Sequence, residues 1–290
     1  MIEIRTARAA DMANEIALWS LVFGDDDAYI MLYYNTCYRP DDAIVLLEDG
    51  RLVSMALCPP VGLKIPGGKV ARGAYIYALA TAPEARGKGY ARKLLMFAHD
   101  HFKRLGMDFS ATVPAEESLF CFFQSVGYGP QFLCDERRYM RCDLSKASGA
   151  SAELCDSKVY NATRLCFNFK QPAITYDESL ILWQQEVSVL AGAHLFRIEA
   201  GGDIGCAAAE YMDGGMVIIK ELLISQPNAD AAVSALSRVL PADAYIVRTP
   251  ADGSEPLDSV RRFGAAAWYN TAFERAVAQW PNGYLGLAFD

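Results

Sequence analysis

The chain has 290 residues, a length that favours two domains over one. Its residues are 52% hydrophobic and 21% charged, which excludes a disordered protein, and no apolar run reaches the roughly 18 residues that a membrane helix needs. The net charge of -8 argues against nucleic acid as a partner.

The first half of the chain alternates strands with amphipathic helices. Residues 2–6 alternate as a strand, Asp11 is a plausible cap for a helix, and Asp49-Gly50 is the two-residue turn of a hairpin. The later elements predicted in this half are helices at 11–23 and 25–38, strands at 43–48, 52–58 and 75–81, a helix from 90 to 105, a strand at 107–112, a helix at 114–126 and a closing strand at 136–144.

The turn between the strand at 75–81 and the long helix has the composition of an anion site. Glycines 87 and 89 let main-chain N–H groups approach an anion without an intervening Cβ, and the helix N-terminus adds partial positive charge. Arg86 and Lys88 supply full charges. These features suit a diphosphate, although a glycine-rich turn with solvated charges is the alternative.

The same stretch resembles motif A of the GNAT superfamily of N-acetyltransferases. The family's Arg-x-x-Gly-x-Ala signature matches Arg86 to Ala91, and the predicted order of elements over about 145 residues is that of the GNAT fold. The resemblance implies that acetyl-CoA is bound and that the acceptor is an amine of a small molecule or peptide. The cofactor-binding positions that it implies are Leu79, Ala80, Thr81, Arg86, Gly87, Lys88, Gly89, Tyr90, Ala91 and Phe123.

The second half repeats this order of elements. A small polar stretch at 145–151 reads as a linker, and strands at 194–199, 204–211, 216–224 and 245–248 surround a helix at 230–240. Its turn, Ser225 to Asp230, has neither glycine nor cation. We therefore expect two domains in the α/β (α+β) class: a GNAT domain at 1–145 and a degenerate GNAT-like domain at 151–290. Each would be a mixed, mostly antiparallel sheet flanked by helices.

Tandem acetyltransferases of the enhanced intracellular survival type are similar, and they carry a third domain that we do not expect in this chain. The family also often has a tyrosine acid near the thiol, where this chain has Phe123. Because a phenyl ring cannot protonate a thiolate, that role is vacant or filled elsewhere. Tyr128, Tyr77 and Tyr90 are near in sequence, and Tyr128 is the candidate; a place in the core or at its rim is the alternative for each. In the GNAT plan the second helix, rich in tyrosine, flanks the acceptor pocket, although its aromatic side also suits a core.

The candidate base is the chain end. Residues 284–290 alternate like a strand and finish with Asp290, whose side chain and α-carboxyl both bear charge. In the enhanced-survival-type enzymes the terminal carboxylate reaches the active site. The alternative is a last strand of the second domain.

Eight cysteines without a Cys-x-x-Cys pair and only three histidines predict reduced thiols and no metal site. The N-terminus lacks the pattern of an export signal, so we expect a cytoplasmic protein. No membrane or nucleic-acid partner is expected, and a homo-oligomer is possible.

The sequence thus predicts an N-acetyltransferase. Its rival is a CoA-binding sensor or scaffold without catalysis, suggested by Phe123 and by the lack of a glutamate on the strand at 75–81. A nucleotide-phosphate binder is a third possibility.

Overall fold

The computed structural model describes residues 1–144, 149–251, 253 and 258–289. Its chain divides into two compact units. The first contains Met1–Gln131, Ile174–Tyr176 and Phe263–Pro281, and the second contains Phe132–Ala173, Asp177–Arg262 and the residues from Asn282 on. The sequence predicts a domain boundary at 145–151, whereas the first unit's N-terminal segment ends at Gln131. The segment Phe263–Pro281 from late in the chain also belongs to the first unit.

The elements that begin in the first 131 residues alternate as predicted, with one additional strand at Pro60–Lys64. They are β1 (Ile2–Thr6), α1 (Met12–Phe23), α2 (Asp27–Thr36), β2 (Ala43–Glu48), β3 (Arg51–Leu57), β4 (Pro60–Lys64), β5 (Val70–Thr81), α3 (Tyr90–Arg104), β6 (Phe109–Thr112), α4 (Leu119–Gln124) and β7 (Gly129–Met140).

The rest of the chain supplies β8 (Ser151–Cys155), α5 (Ser157–Cys166), β9 (Ala173–Thr175), α6 (Glu178–Leu190), β10 (Leu195–Ala200), β11 (Asp203–Met212), β12 (Met216–Leu223), α7 (Ala229–Val239), β13 (Ala244–Pro250), β14 (Val260–Trp268) and α8 (Thr271–Val277). None of the described helices has the length and apolar character needed to cross a membrane.

The sheet of the first unit runs β1-β2-β3-β5-β6-β14, with β5 and β6 parallel and the other neighbours antiparallel. The helix α3 packs against β2, β3 and β5 through an apolar stripe at helical spacing, in which Leu94, Leu95 and Ala98 are fully buried. The hairpin between β2 and β3 turns at Asp49 and Gly50, which both have positive φ.

The sheet of the second unit runs β8-β10-β11-β12-β13-β7 and repeats the same pattern, with β12 and β13 as the parallel pair. Its core lies between the sheet and α7, around Phe196, Leu236 and Tyr245. The predicted fold class, mixed and mostly antiparallel sheets flanked by helices, is therefore confirmed.

Each unit contains one strand that sequence order alone does not predict. The closing strand expected at 136–144 begins at Gly129, and its residues Cys134–Met140 pair with β13 of the second unit. The first unit's β6 instead pairs with Ala265–Trp268 of β14. The tail expected as a strand is not one: residues 285–289 have no regular structure, and only isolated bridges join Gly283 and Tyr284 to their neighbours.

Candidate active site

A bulge in β5 lies directly before Leu79, Ala80 and Thr81, three of the cofactor-binding positions that the resemblance implies. Residue Met55 of β3 pairs with Ala80, but Leu57 pairs with Tyr77, so β5 has one residue more than its partner over this interval. Ala78 takes a φ of 45°, a backbone conformation that costs a non-glycine residue energy. The extra residue interrupts the ladder and turns main-chain groups of the strand away from it.

The parallel pairing of β5 with β6 stops just before the bulge. It ends at Ile76 and Thr112, where β6 itself ends, whereas β5 continues to Thr81. At this last pair, the Thr112 hydroxyl donates a hydrogen bond of 3.1 Å to the Ile76 carbonyl oxygen. On the side of β5 that would face β6 in a regular ladder, no described strand pairs with Leu79, Ala80 and Thr81.

The end of β5 is held firmly on its other side. Ser54 of β3 is fully buried, and its hydroxyl donates to the Ala80 carbonyl at 2.7 Å and lies 2.8 Å from the Thr81 hydroxyl. Sequence reasoning missed Ser54, because only the register of β3 on β5 reveals it. These bonds fix the strand edge that the motif resemblance assigns to ligand binding.

The predicted anion site is a turn with two left-handed glycines before α3. Gly87 has a φ of 78° and Gly89, at the N-cap position, a φ of 73°. No atom lies within 4 Å of the position that a Cβ would take on either residue, so backbone conformation and not crowding requires glycine here. No side chain caps the N-terminus of α3, which leaves its first N–H groups able to bind an anion.

The charges around this turn are already partly paired. The Lys88 ammonium lies 2.9 and 3.0 Å from the two carboxylate oxygens of Glu48, and the Tyr90 hydroxyl donates to the same carboxylate. These two hydrogen bonds, that of Tyr90 first, lower the pKa of Glu48, and the bond to Glu48 raises the pKa of Lys88. The Arg86 side chain is exposed and donates to the Thr81 carbonyl at 3.3 Å.

Tyr128, the candidate acid, lies in the core. It is 2% exposed, and burial raises the pKa of its phenol well above the ordinary value. Its hydroxyl lies 2.8 Å from the Ser110 hydroxyl, which lies 2.7 Å from that of Tyr269; His99 Nδ1 is 2.6 Å from the Tyr269 hydroxyl. The Tyr128 hydroxyl therefore contacts a buried side chain of the core and is not exposed to a ligand.

Phe123 is buried and packs edge-on against Tyr128, with ring centroids 5.5 Å apart. The phenyl ring that replaces the family's tyrosine is therefore part of the same core.

Asp290, the candidate base, lies outside the described residues. Among the cysteines, Cys121 is exposed and Cys134 is buried, and burial raises the Cys134 pKa to about 12. No described group of histidine, cysteine or carboxylate side chains could hold a metal ion.

Aromatic side chains of α1, α2 and β5 meet beside the bulge. The hydroxyls of Tyr29 and Tyr77 lie 2.9 Å apart, and the Trp19 ring lies 5.4 Å from that of Tyr77. The Trp19 indole donates to the Asp25 carboxylate at 2.7 Å. Both tyrosines are partly exposed, so the face beside the bulge carries hydroxyls and a carboxylate. The sequence predicts that α2 is rich in tyrosine, but it does not predict that Tyr29 of this helix contacts Tyr77 of β5.

A buried carboxyl lies one helical turn before Trp19. Glu15 is fully buried, the Tyr34 hydroxyl donates to its Oε2 at 3.3 Å, and its Oε1 has no partner among the described residues. Burial raises the pKa of Glu15 to about 7. Sequence reasoning missed this residue, since a glutamate in an amphipathic helix is ordinarily solvated.

Residues 3–131 match the family described as acetyltransferase (GNAT) domain. No match is found among curated proteins. The predicted resemblance to this family is thus confirmed for residues 3–131.

Solved structures resemble nearly the whole chain. An Enterococcus faecalis V583 protein described as a probable N-acyltransferase has 12% identity and a TM-score of 0.71, with 93% of this chain and 73% of that one covered. Eis1 from Mycobacterium abscessus has 12% identity and a TM-score of 0.66, with 92% and 73% covered. A putative acetyltransferase from Pyrococcus horikoshii has 10% identity and a TM-score of 0.59, with 93% and 90% covered. At such identities the likeness shows a shared fold.

Proposed function

We propose that the first unit is an N-acetyltransferase that takes the acetyl group from acetyl-CoA and passes it to an amine. The observation that carries the proposal is the coincidence of three features in one place: the bulge at Ala78, the stretch of β5 after Ile76 that no longer pairs with β6, and the uncapped turn at Gly87 and Gly89. A turn alone would suit any phosphate, whereas an adjoining open strand edge suits a ligand with a long amide-bearing arm. The family match of residues 3–131 supports the same assignment.

The residues fit such a ligand. Main-chain N–H groups of the turn from Gly87 to Ala91 would bind the diphosphate, with Arg86 and Lys88 contributing charge. Main-chain groups of Leu79, Ala80 and Thr81 would pair with the amides of the pantetheine arm, as a neighbouring strand does. When bound, acetyl-CoA supplies an activated thioester, and the main-chain groups of this unit would hold that thioester in position.

The face beside the bulge would receive the amine. A cationic acceptor would find the Asp25 carboxylate and the paired hydroxyls of Tyr29 and Tyr77. Burial raises the pKa of Tyr77 well above its ordinary value, so its hydroxyl keeps its proton and orients the acceptor without acting as a base. Asp290 stays a proposed base, and deletion of that residue tests it through turnover at unchanged stability.

A CoA-binding sensor is the second candidate, and one observation favours it. The phenyl ring of Phe123 offers no proton, and Tyr128 next to it holds its hydroxyl within the core. In that case the same turn would bind CoA, but no acetyl group would move.

Binding and turnover measured on one preparation separate these candidates. Calorimetry with CoA is compared with thiol release from acetyl-CoA in the presence of a panel of polyamines, amino acids and peptides, and Arg86→Ala serves as the variant. The acetyltransferase proposal predicts CoA binding, amine-dependent thiol release, and weakening of both by Arg86→Ala. Binding without release from any amine favours the sensor. Preference for ATP or NAD over CoA would point to a nucleotide-phosphate binder and contradict both.

A further inference from the structure

The sheet of the first unit has an unpaired edge at β1. This strand has five residues, Ile2–Thr6, and pairs with β2 on one side, while no described strand pairs with its other side. Free N–H and C=O groups at a sheet edge can pair with another strand, and proteins ordinarily prevent this with prolines, bulges or charges. β1 has no proline and pairs with β2 without a bulge, so its side chains decide what it can pair with.

The hydrogen bonds at the two ends of the β1–β2 pairing show which groups of β1 point outward. The Asp49 N–H donates to the Met1 carbonyl at 2.8 Å, and the Ala7 N–H donates to the Ala43 carbonyl at 2.8 Å. The register between these ends is regular, so alternate residues of β1, the odd-numbered ones, exchange hydrogen bonds with β2. The N–H and C=O groups that point away from β2 therefore belong to the even-numbered residues Ile2, Ile4 and Thr6.

The side chains along this edge are accessible and ordered by ion pairs. Ile2 is 41% exposed, and the Glu3 side chain is 53% exposed. The Arg5 guanidinium donates to both carboxylate oxygens of Asp11, at 2.6 and 3.0 Å, and to Glu3 Oε1 at 3.0 Å. Glu3 and Arg5 thus lie on the same face of β1, with their charged groups held close to the edge.

The sequence of β1 is complementary to itself in an antiparallel arrangement. When Ile4 is opposite the Ile4 of a second copy, Glu3 is opposite the partner's Arg5, and Ile2 is opposite the partner's Thr6. All five residues are then paired, and both charged pairs have opposite signs. A two-fold axis one residue earlier would place Glu3 opposite the partner's Glu3, and one residue later Arg5 opposite the partner's Arg5. Charge therefore favours the register centred on Ile4.

The main-chain groups agree with this register. An antiparallel ladder centred on Ile4 requires that Ile4 exchange N–H···O=C hydrogen bonds with the partner's Ile4, and that Ile2 do so with the partner's Thr6. These are the residues whose N–H and C=O groups point outward. Glu3 and the partner's Arg5 then form a non-hydrogen-bonded pair, in which side chains approach each other more closely.

The edge strand of the second unit lacks this property. β8 ends the other sheet, and Glu153 at its centre is the strand's only charged residue. A two-fold axis through the middle of β8 would place Glu153 opposite the partner's Glu153, and like charges directly opposite destabilise a pair. Self-pairing is thus favoured at β1 and disfavoured at β8.

We propose that the outer edge of β1 binds β1 of a second copy of this chain, which gives a two-fold symmetric dimer. The contact continues the sheet of the first unit across the axis, and an isologous contact of this kind is complete with two copies. The inference does not depend on acetyl transfer, because Ile2–Thr6 take no part in the proposed CoA site.

Sedimentation equilibrium of the full chain over a range of concentrations tests the dimer, and amide hydrogen exchange followed by NMR locates it. We expect a monomer–dimer equilibrium in which the Ile4 N–H exchanges more slowly as the concentration rises. The Arg5 N–H bonds to β2 and should be protected already in the monomer. A monomer at every concentration, or a dimer in which exchange of the Ile4 N–H does not slow, would overturn the proposal.

A change of charge tests the register. Glu3→Lys turns both charged pairs of the dimer into pairs of like charge, and it should raise the dissociation constant of the dimer at least about tenfold. Glu153→Lys makes the same change at an exposed position of β8 and should leave the dissociation constant as in wild type. Equal dissociation constants in Glu3→Lys and wild type would contradict this interface.

A change in the main chain tests the hydrogen bonds. Ile4→Pro removes an N–H that β2 does not use, a position at which an edge strand tolerates proline, so we expect a folded monomer. Ile4→Val keeps the N–H and should dimerise nearly as wild type does. A folded Ile4→Pro variant that dimerises like Ile4→Val would show that the edge of β1 is not the interface.

Discussion

Lys88 forms an ion pair with Glu48 in the turn where it would also bind a phosphate of the ligand. Both carboxylate oxygens lie within 3.0 Å of the ammonium, so the pair neutralises a charge that the proposed cosubstrate would use. Glu48→Gln removes the carboxylate charge and keeps an acceptor for Tyr90. We expect CoA to bind this variant several-fold more tightly, because the released ammonium is available to the diphosphate.

Calorimetry at low and moderate salt measures the effect, which should shrink as salt increases. The exposed Asp100→Asn, on α3 but outside the turn, controls for the change of net charge. Unchanged or weaker CoA binding in Glu48→Gln would show that Lys88 does not contact the ligand.

Tyr128 is expected to stabilise the fold without taking part in transfer. Tyr128→Phe removes one member of the buried contacts around Ser110, at a cost of about 1 kcal/mol in the free energy of unfolding. Tyr245→Phe is its match in the second unit, since the Tyr245 hydroxyl is also buried and donates to the Leu240 carbonyl at 2.7 Å. Both variants should keep the rate of thiol release. A tenfold fall in that rate for Tyr128→Phe alone would restore Tyr128 as a catalytic acid.

Glu15 should make stability depend on pH. Its pKa in the folded chain is about 7, above the ordinary value of 4.5, so the folded state binds more protons than the unfolded state between these values. The free energy of unfolding therefore falls as pH rises from about 4.5 to about 7, by up to about 3 kcal/mol for a shift of this size.

Urea denaturation at pH 5 and pH 7.5 tests this expectation. Glu15→Gln should weaken the pH dependence of the free energy of unfolding and should be more stable than wild type at pH 7.5. Glu274→Gln, at an exposed position, should have the same pH dependence as wild type. Equal slopes in wild type and Glu15→Gln would mean that Glu15 is ionised when folded.

Alanine variants of Gly87 and Gly50 distinguish the effect of backbone strain on stability from the effect of the turn on ligand binding. Gly87 and Gly50 both have positive φ and open space where a Cβ would lie, but only Gly87 belongs to the proposed phosphate site. Alanine at either position should lower the free energy of unfolding by about 1 kcal/mol, because an L-residue is strained there. Only Gly87→Ala should also weaken CoA binding, by about tenfold or more.

Calorimetry on these two variants, with chemical denaturation alongside, makes the comparison. Equal CoA affinities in Gly87→Ala and Gly50→Ala would contradict the assignment of the turn.

Periodicity and turn chemistry predicted most elements of the two sheets and the glycine turn itself. The α3 stripe and the Asp49-Gly50 hairpin are local patterns, so a single sequence reveals them. The bulge at Ala78 has no such signal: alanine is an ordinary strand residue, and only the register of β3 against β5 gives it a positive φ. The Tyr29–Tyr77 pair and the burial of Glu15 likewise depend on which helix meets which strand.

At the scale of the whole molecule, the first unit is not continuous in sequence. Its β6 pairs with β14, and Tyr269 and Asn270 from the same late segment bond to Ser110 and Asp108. A fragment that ends at residue 145 therefore lacks a sheet strand and part of the core. We expect it to show no cooperative thermal transition and no CoA binding, while the full chain shows both.

Circular dichroism and calorimetry on the fragment and the full chain measure this. A folded 1–145 fragment that binds CoA like the full chain would show that β14 is dispensable to the first unit. The boundary predicted from composition could not anticipate this, because a polar stretch at 145–151 marks a change of composition and not the partner of a strand.

A crystal structure of the full chain with CoA tests the central claim most directly. We expect the diphosphate within hydrogen-bond distance of main-chain N–H groups between Gly87 and Ala91, and the pantetheine arm alongside Leu79 to Thr81 of β5. CoA bound elsewhere on the chain, with this turn free of phosphate, would contradict the proposal.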